Sequence, residues 1–278
     1  MSASPSQPAD FPVPPALADH GPARVIALCN QKGGVGKTTT AINLGAALAE
    51  YGRKVLMVDF DPQGAATVAT GVSIKEDQPT IYDSLMDSSV PLAGIIVPTG
   101  LPNLDVAPAN IDLSAAEVQL VGEVARENTL ARTLRGVMDS YDVILIDCQP
   151  SLGLLTVNAL TASHGVVIPL ETEYFALRGV ALLVETISKV ADRLNPRLKI
   201  DGIVATMYDT RTLHSREVLE RVKEAFGGQV FDTVIARTVK FPDASVAAES
   251  ILTFAPTHAG ADSYRRLARE LVARGDAA

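Results

Sequence analysis

The sequence has no apolar run of roughly 18 to 20 residues, the length of a membrane-spanning helix, although 47% of its 278 residues are hydrophobic. Nor does it open on a basic segment followed by an apolar core, so no secretory signal is expected and the chain should be soluble and cytoplasmic. Cysteine is scarce. Cys29 and Cys148 are too few to staple a fold and are expected to be buried and unreactive. No lysine or arginine precedes Arg24, which excludes an N-terminal basic arm for membrane or DNA. That stretch holds Pro5, Pro8, Pro12, Pro14, Pro15 and Pro22, and residues 1–22 are expected to form a disordered tail, too short and proline-rich for a helix-turn-helix domain. Positive charge is short overall: the net charge is -8, which at face value argues against nucleic acid. The deficit is uneven, with 9 Lys/Arg against 19 Asp/Glu in residues 1–173 and 15 against 13 in 174–278. A local basic patch in the second half could still neutralise phosphates, weakly and with steep salt dependence.

The length suits one large α/β domain, expected over residues 23–274 with a short tail at 275–278. Val25–Cys29, Lys54–Asp59, Asp142–Asp147, Val166–Leu170, Ile200–Thr206 and Val230–Ile235 read as buried strands, and Leu104–Pro108 as a weaker one. Helical patterns lie between them near 41–49, 154–162, 177–194 and 215–226, with a last one near 261–273. In that last segment Tyr264, Leu267, Ala268, Leu271 and Val272 recur at helical spacing, a stripe expected to pack in the core. Ser114 and Glu117 match a capping box opening a helix to about Val124, followed by another over 130–138. Apolar strands alternating with helices predict a doubly wound, mainly parallel sheet covered on both faces.

Between the first strand and the first helix stands Gln31-Lys32-Gly33-Gly34-Val35-Gly36-Lys37-Thr38-Thr39-Thr40. Strand, glycine-rich turn and helix are the context of a phosphate-binding loop: glycines let successive N–H groups face one anion, and the helix start adds its positive dipole end. Gly33, Gly34, Val35, Gly36, Lys37, Thr38 and Thr39 are the candidate nucleotide-binding residues. Lys37 would reach the β/γ-phosphate oxygens, and the Thr38 hydroxyl would take a place around Mg²⁺. The usual motif has glycine where this chain has Gln31, and it carries an added lysine, Lys32. Three aspartates, Asp59, Asp61 and Asp147, fall at or just past strand ends, where ligands of such sheets collect and where a carboxylate needs a cation or donor.

The string K-G-G-V-G-K-T-T resembles the deviant Walker A box of the ParA/MinD family of dimerising P-loop ATPases. The resemblance runs over residues 24–274 and implies that Lys32 crosses to the nucleotide of a second copy, making ATP the signal for a homodimer. Asp147 resembles a Walker B aspartate that orients Mg²⁺. Asp61, in Asp59-Phe60-Asp61-Pro62-Gln63-Gly64, matches the aspartate that positions the attacking water, so Lys32, Lys37 and Asp61 are the implied catalytic residues and Thr38, Asp61 and Asp147 the implied metal set. Asp147-Cys148-Gln149-Pro150-Ser151-Leu152-Gly153 looks like a second switch, with Gln149 in place of a proline. Thr206-Met207-Tyr208-Asp209-Thr210-Arg211 and Ile235-Ala236-Arg237-Thr238-Val239-Lys240 look like the segments whose backbone near Met207 and Arg237 frames adenine. In the ParA/Soj partitioning branch, basic residues matching Arg211, Arg237 and Lys240 hold non-specific DNA, and a ParB-like protein stimulates hydrolysis. That branch implies a slow, Mg²⁺-dependent ATPase, associated with the nucleoid when ATP is bound, serving chromosome or plasmid partition or cargo positioning. Asp243 beside Lys240 would oppose phosphate.

A MinD-like membrane switch is the alternative. It asks for a C-terminal amphipathic helix with bulky apolar groups, whereas this chain ends Arg274-Gly275-Asp276-Ala277-Ala278, so membrane contact is disfavoured. An iron–sulfur reductase would need two cysteines placed to share a cluster at a dimer axis, for which Cys29, inside a strand, is a poor ligand. A tyrosine-kinase relative would carry a tyrosine-rich tail, and past residue 208 there is only Tyr264.

Overall fold

The structure, a computed structural model, describes residues 11–173 and 176–275. In chain order its elements are β1 (Arg24–Leu28), α1 (Lys37–Glu50), β2 (Val55–Phe60), α2 (Ala65–Ala69), α3 (Ile81–Met86), β3 (Val97–Pro98), β4 (Leu104–Ala107), α4 (Leu113–Gln119) and α5 (Thr129–Leu134). Then come β5 (Val143–Cys148), α6 (Leu154–Ala162), β6 (Gly165–Glu171), α7 (Ala176–Arg193), β7 (Lys199–Tyr208), α8 (Leu213–Phe226), β8 (Val230–Ala236), α9 (Lys240–Val246), α10 (Ile251–Phe254) and α11 (Ala259–Ala273). The sheet runs β3-β4-β2-β5-β1-β6-β7-β8. All its pairings are parallel except β3 with β4.

Alternation along the strands divides the core. Ile144 and Ile146 of β5 join Leu56, Val58 and Phe60 of β2 on the face covered by α6 and α7, with Leu155, Leu183 and Ile187. Val143 and Leu145 join Val55 and Met57 on the other face, under α1 and α11, with Leu44, Leu48 and Leu267. Because both faces are covered, the central strands β1, β2, β5 and β6 are apolar at nearly every position, which is why they read as unbroken hydrophobic runs.

Several expectations need correction, among them the helix expected over 130–138, which is α5 and ends at Leu134. Ser114 is not a helix cap: α4 already starts at Leu113 behind Asp112, and Glu117 turns instead to Gln149 Nε2 at 2.9 Å. A capping box does form at α3, from Thr80 and Asp83. The α4 helix also stops at Gln119, short of Val124, and gives way to a single 3₁₀ turn over Leu120–Gly122. Residues 11–22 carry no helix or strand, yet they are tied down rather than loose. The buried Arg53 donates to the Pro15 carbonyl at 2.7 Å, and the buried Asp142 takes His20 Nδ1 at 2.8 Å and the Gly21 N–H at 2.9 Å. Each of those buried charges needs several partners, and the segment adds to the Tyr51 carbonyl that serves Arg53 and the Lys54 N–H that serves Asp142. Residues 1–10 and 276–278 of the expected tails lie outside the described residues.

The α11 stripe packs as expected, with Tyr264, Leu267, Ala268 and Leu271 buried. Its polar anchor is Glu270, 0% exposed. Glu270 accepts from the Asp232 N–H at 2.7 Å, the Thr233 N–H at 2.9 Å and the Thr233 hydroxyl at 2.7 Å, and pairs with Arg274 at 2.6 Å. Replacing it with alanine strands two backbone donors and removes the charge partner of Arg274, which keeps the Gly228 and Val230 carbonyls. We expect Glu270→Ala to lower the free energy of unfolding by about 3 kcal/mol, measured by urea denaturation. A loss below about 1 kcal/mol would show that water substitutes for the carboxylate.

Candidate active site

The site lies beyond the carboxyl ends of β1, β2 and β5, where sequence order reverses across the sheet: β2 lies two strands from β1 on one side, and β6 adjoins it on the other. Such a switch point leaves a crevice between loops that diverge. The loop over residues 31–36 fills its floor. Gly34 (φ 76°) and Gly36 (φ 83°) occupy the left-handed region, which lets the backbone curl before α1. A side chain added at Gly33 or Gly34 would meet nothing within 4 Å, so the loop faces an open cradle. Val35 is buried, and its carbonyl accepts the Thr206 hydroxyl at 2.9 Å, which pins the loop to β7. Thr38 and Thr39 stand half-buried in the first turn of α1.

Lys37 is 7% exposed and donates to the Lys32 carbonyl at 3.1 Å. Burial pulls its pKa down, and Asp147 opposes that most strongly, with Asp61 also contributing. On the facing strands Asp59 sits directly opposite Asp147. The two carboxylates are treated differently. Asp59 Oδ2 accepts from the Thr67 hydroxyl at 2.6 Å and the Thr67 N–H at 2.8 Å; burial still raises its pKa to about 6. Neither oxygen of Asp147 makes a hydrogen bond. Burial, then repulsion from Asp59, raises its pKa to about 8, while the nearby Thr38 hydroxyl and Lys37 favour the ionised form. A fully buried carboxylate without a donor is costly, and a cation beside it removes the cost. Thr38 and Asp147 offer the hard oxygens that suit Mg²⁺. Among the described residues no group of three or more His, Cys, Asp or Glu could hold a metal, so the remaining ligands would be phosphate oxygens or water. Asp61 lies in the turn before α2, one carboxylate oxygen accepting from the Gln63 N–H at 2.9 Å.

A cavity of about 280 Å³ adjoins the loop, lined by Gly36, Thr39, Met207, Arg237, Phe241 and Tyr264 among others. The loop and the cavity are therefore one continuous site. Met207, expected after a strand, is inside β7 and adopts φ 51°, and the Arg237 N–H bonds the Tyr208 carbonyl at 3.0 Å. Sequence reasoning missed Phe241 altogether and gave Tyr264 only a packing role. Tyr264 does both: its ring meets Phe241 edge-on at 5.6 Å and its hydroxyl lies 3.3 Å from Thr40 Oγ1.

The rim basic groups all face carboxylates of their own chain. Lys32 Nζ bonds Glu171 at 2.8 Å and Glu173 at 2.6 Å, and Arg237 bonds Glu171 at 3.1 Å. Arg211 forks onto Asp209 at 2.9 and 2.8 Å, and Lys240 reaches Asp243 at 3.3 Å. Arg211, Arg237 and Lys240 follow the ends of the neighbouring strands β7 and β8, on one edge of the crevice. Where both partners are exposed, as in Lys32–Glu173 and Lys240–Asp243, such a pair holds by at most about 1 kcal/mol, so a phosphate can displace those acids. Cys29 and Cys148 are each 1% exposed inside one core, which takes both away from any surface on which two copies could share a cluster.

Comparison with known proteins adds the family. A model described as "AAA domain" matches residues 23–200. An uncharacterized protein of Mycobacterium tuberculosis strain H37Rv is 60% identical over 96% of this chain and 84% of its own length. The sporulation initiation inhibitor protein Soj of Bacillus subtilis is 47% identical over 91% of this chain and 99% of its own. Among solved structures, one named cobyrinic acid a,c-diamide synthase from Mycobacterium smegmatis, with bound ADP and magnesium, has a TM-score of 0.78 and 41% identity, covering 88% of this chain and 92% of that one.

The carboxylate pair has a consequence for stability in the absence of nucleotide. A carboxyl raised from 3.8 to about 8 on folding binds its proton more tightly in the native state, so native stability falls as pH rises between those values. We expect Asp147→Asn to stabilise the nucleotide-free protein at pH 8 and to flatten that decline, leaving a smaller slope up to about pH 6 from Asp59. Thermal denaturation across the range checks it; an asparagine variant less stable than wild type at pH 8 would refute the assignment.

Proposed function

The chain belongs to the Soj/ParA family of chromosome-partitioning ATPases, being also 46% identical to the chromosome partitioning protein ParA of Caulobacter vibrioides over 91% of this chain and 95% of that one, and from that premise we propose that it is a Mg²⁺-dependent ATP hydrolase whose nucleotide state switches a homodimer on and off non-specific DNA. The observation that carries the nucleotide half is the unpartnered, buried Asp147 beside the buried Lys37, under a glycine loop with an open cradle. The loop N–H groups and Lys37 bind the phosphates, and Thr38 and Asp147 hold the metal. The bound ion would neutralise phosphate charge as the terminal bond breaks. Asp61, in its turn at the end of β2, orients the attacking water. Met207 and Arg237 border the cavity for the base.

Lys32 supplies the switch. It exchanges Glu171 and Glu173 for the triphosphate of a second copy, a stronger anion than two carboxylates of which one, Glu173, is exposed. The dimer then presents the Arg211, Arg237 and Lys240 edge twice, and doubling the cationic contacts is what makes DNA binding depend on ATP. Hydrolysis, stimulated by a ParB-like partner, releases the DNA, giving a cytoplasmic protein that is nucleoid-associated when ATP is bound and serves partition or cargo positioning. A MinD-like membrane switch is the weaker reading: the apolar stripe of α11 is already buried against α1 and β8. Phosphate release with no carboxylate or amine co-substrate present separates this ATPase from the amide-forming reaction named for the mycobacterial structure.

Binding to a non-specific duplex at low and high salt, with ADP or ATP, tests the switch. Wild type should bind only with ATP and lose affinity steeply with salt. Asp61→Ala should retain binding, Arg211→Glu should weaken it at least about tenfold, and Lys32→Ala should bind nucleotide yet stay monomeric in light scattering. Dimerisation by ATP without DNA binding in any state would keep the ATPase and remove DNA as its surface.

A further inference from the structure

Cys29 and Cys148 take no part in the chemistry proposed above, yet their sulfurs lie 3.2 Å apart. Both are free thiols, buried in the same core. The closeness follows from topology. β1 and β5 are parallel neighbours with Leu28 opposite Asp147, so the next residue along each chain is Cys29 on one side and Cys148 on the other. Adjacent strands are about 4.8 Å apart, inside the roughly 4.4 to 6.8 Å between Cα atoms that a disulfide bridges. From 3.2 Å the sulfurs need close by only about 1.2 Å to reach bonding distance.

The position gives such a bond leverage. Cys29 precedes Asn30, whose side chain accepts from the Lys32 N–H at 3.0 Å and donates to the Pro169 carbonyl at 2.8 Å, setting the start of the phosphate loop. Cys148 directly follows Asp147. A covalent link would tie the strand feeding the loop to the strand carrying that aspartate, removing the freedom of the two to adjust around the nucleotide, and phosphoryl transfer is sensitive to that spacing.

We propose that Cys29 and Cys148 form a reversible redox site, oxidised by hydrogen peroxide to an intramolecular disulfide that lowers ATP hydrolysis. One sulfur, losing its proton, attacks a peroxide oxygen; the O–O bond breaks, that sulfur becomes a sulfenic acid, and the departing oxygen leaves as water. The second sulfur attacks the first; the S–O bond breaks, the S–S bond forms, and a second water carries off the remaining proton. Two thiols and one peroxide thus give one disulfide and two waters. A thiol such as dithiothreitol reverses the link by exchange.

The chemical readout does not depend on the ATPase reading. Native protein is treated with hydrogen peroxide, denatured in the presence of iodoacetamide, and analysed by mass spectrometry before and after tryptic digestion. The expected result is a mass lower by about 2 Da, no alkylation of either cysteine, and a Cys29–Cys148 linked peptide that dithiothreitol abolishes. Two alkylated thiols after a treatment that oxidises the urea-unfolded chain would overturn the site, as would sulfinic acids without the linked peptide. For activity, oxidised wild type should lose hydrolysis at least about fivefold and recover it with dithiothreitol, whereas Cys29→Ala keeps its rate under peroxide; Cys148→Ala serves should the first variant misfold. Equal losses in wild type and variant would overturn the link to activity.

Discussion

Two aspartates side by side at the ends of adjacent parallel strands are the constraint around which this molecule is arranged. Asp59 and Asp147 are opposite one another in register, and like charges so placed cannot both ionise cheaply. The fold resolves the conflict unequally. Asp59 is satisfied by Thr67, whose hydroxyl also accepts the Ala109 N–H at 3.1 Å, so one carboxylate fastens the start of α2 to the segment after β4. Asp147 is left to Lys37 and to whatever cation arrives. One carboxylate builds the turn that carries Asp61, and the other waits on ligand.

The same economy governs the rim. Glu171 at the end of β6 faces both Lys32 and Arg237, joining the lysine of the phosphate loop to the arginine lining the adjoining cavity through one carboxylate. Glu117 on α4 receives Gln149 and lies close against Gly153, where an added Cβ would fall 2.2 Å from its oxygen. The segment after Asp147 is therefore held by a polar tether where the related pattern has a proline ring. A hydrogen bond can be exchanged on nucleotide binding, while a ring constraint cannot. Neither glutamate carries a motif. Their roles arise because parallel strands end together and deliver distant residues to one edge.

Local signals were strong wherever one physical requirement acted alone. The phosphate loop announced itself through glycines that must turn and a lysine that must follow. Most strands were legible because burial on both faces leaves no room for polar alternation, and the last helix because one stripe meets the core. Failure came where two partners competed for one residue. Ser114 and Glu117 have capping-box spacing, but Glu117 is worth more to the α6 start and Gln149 than to its own helix. Residues 11–22 have the composition of a loose tail, yet Asp142 and Arg53, buried elsewhere, need the partners they supply.

By itself the sequence determined the doubly wound class, the place of the phosphate loop and the three aspartates, because spacing and hydrophobic period are properties of a single segment. Only the tertiary structure decided which aspartate is satisfied and which is left open, that Lys32 rests on Glu171 and Glu173, that Tyr264 and Phe241 wall the cavity, and that two cysteines 119 positions apart touch. Those facts depend on strand order and register, which bring residues together across the sheet and leave no periodicity in the chain to read.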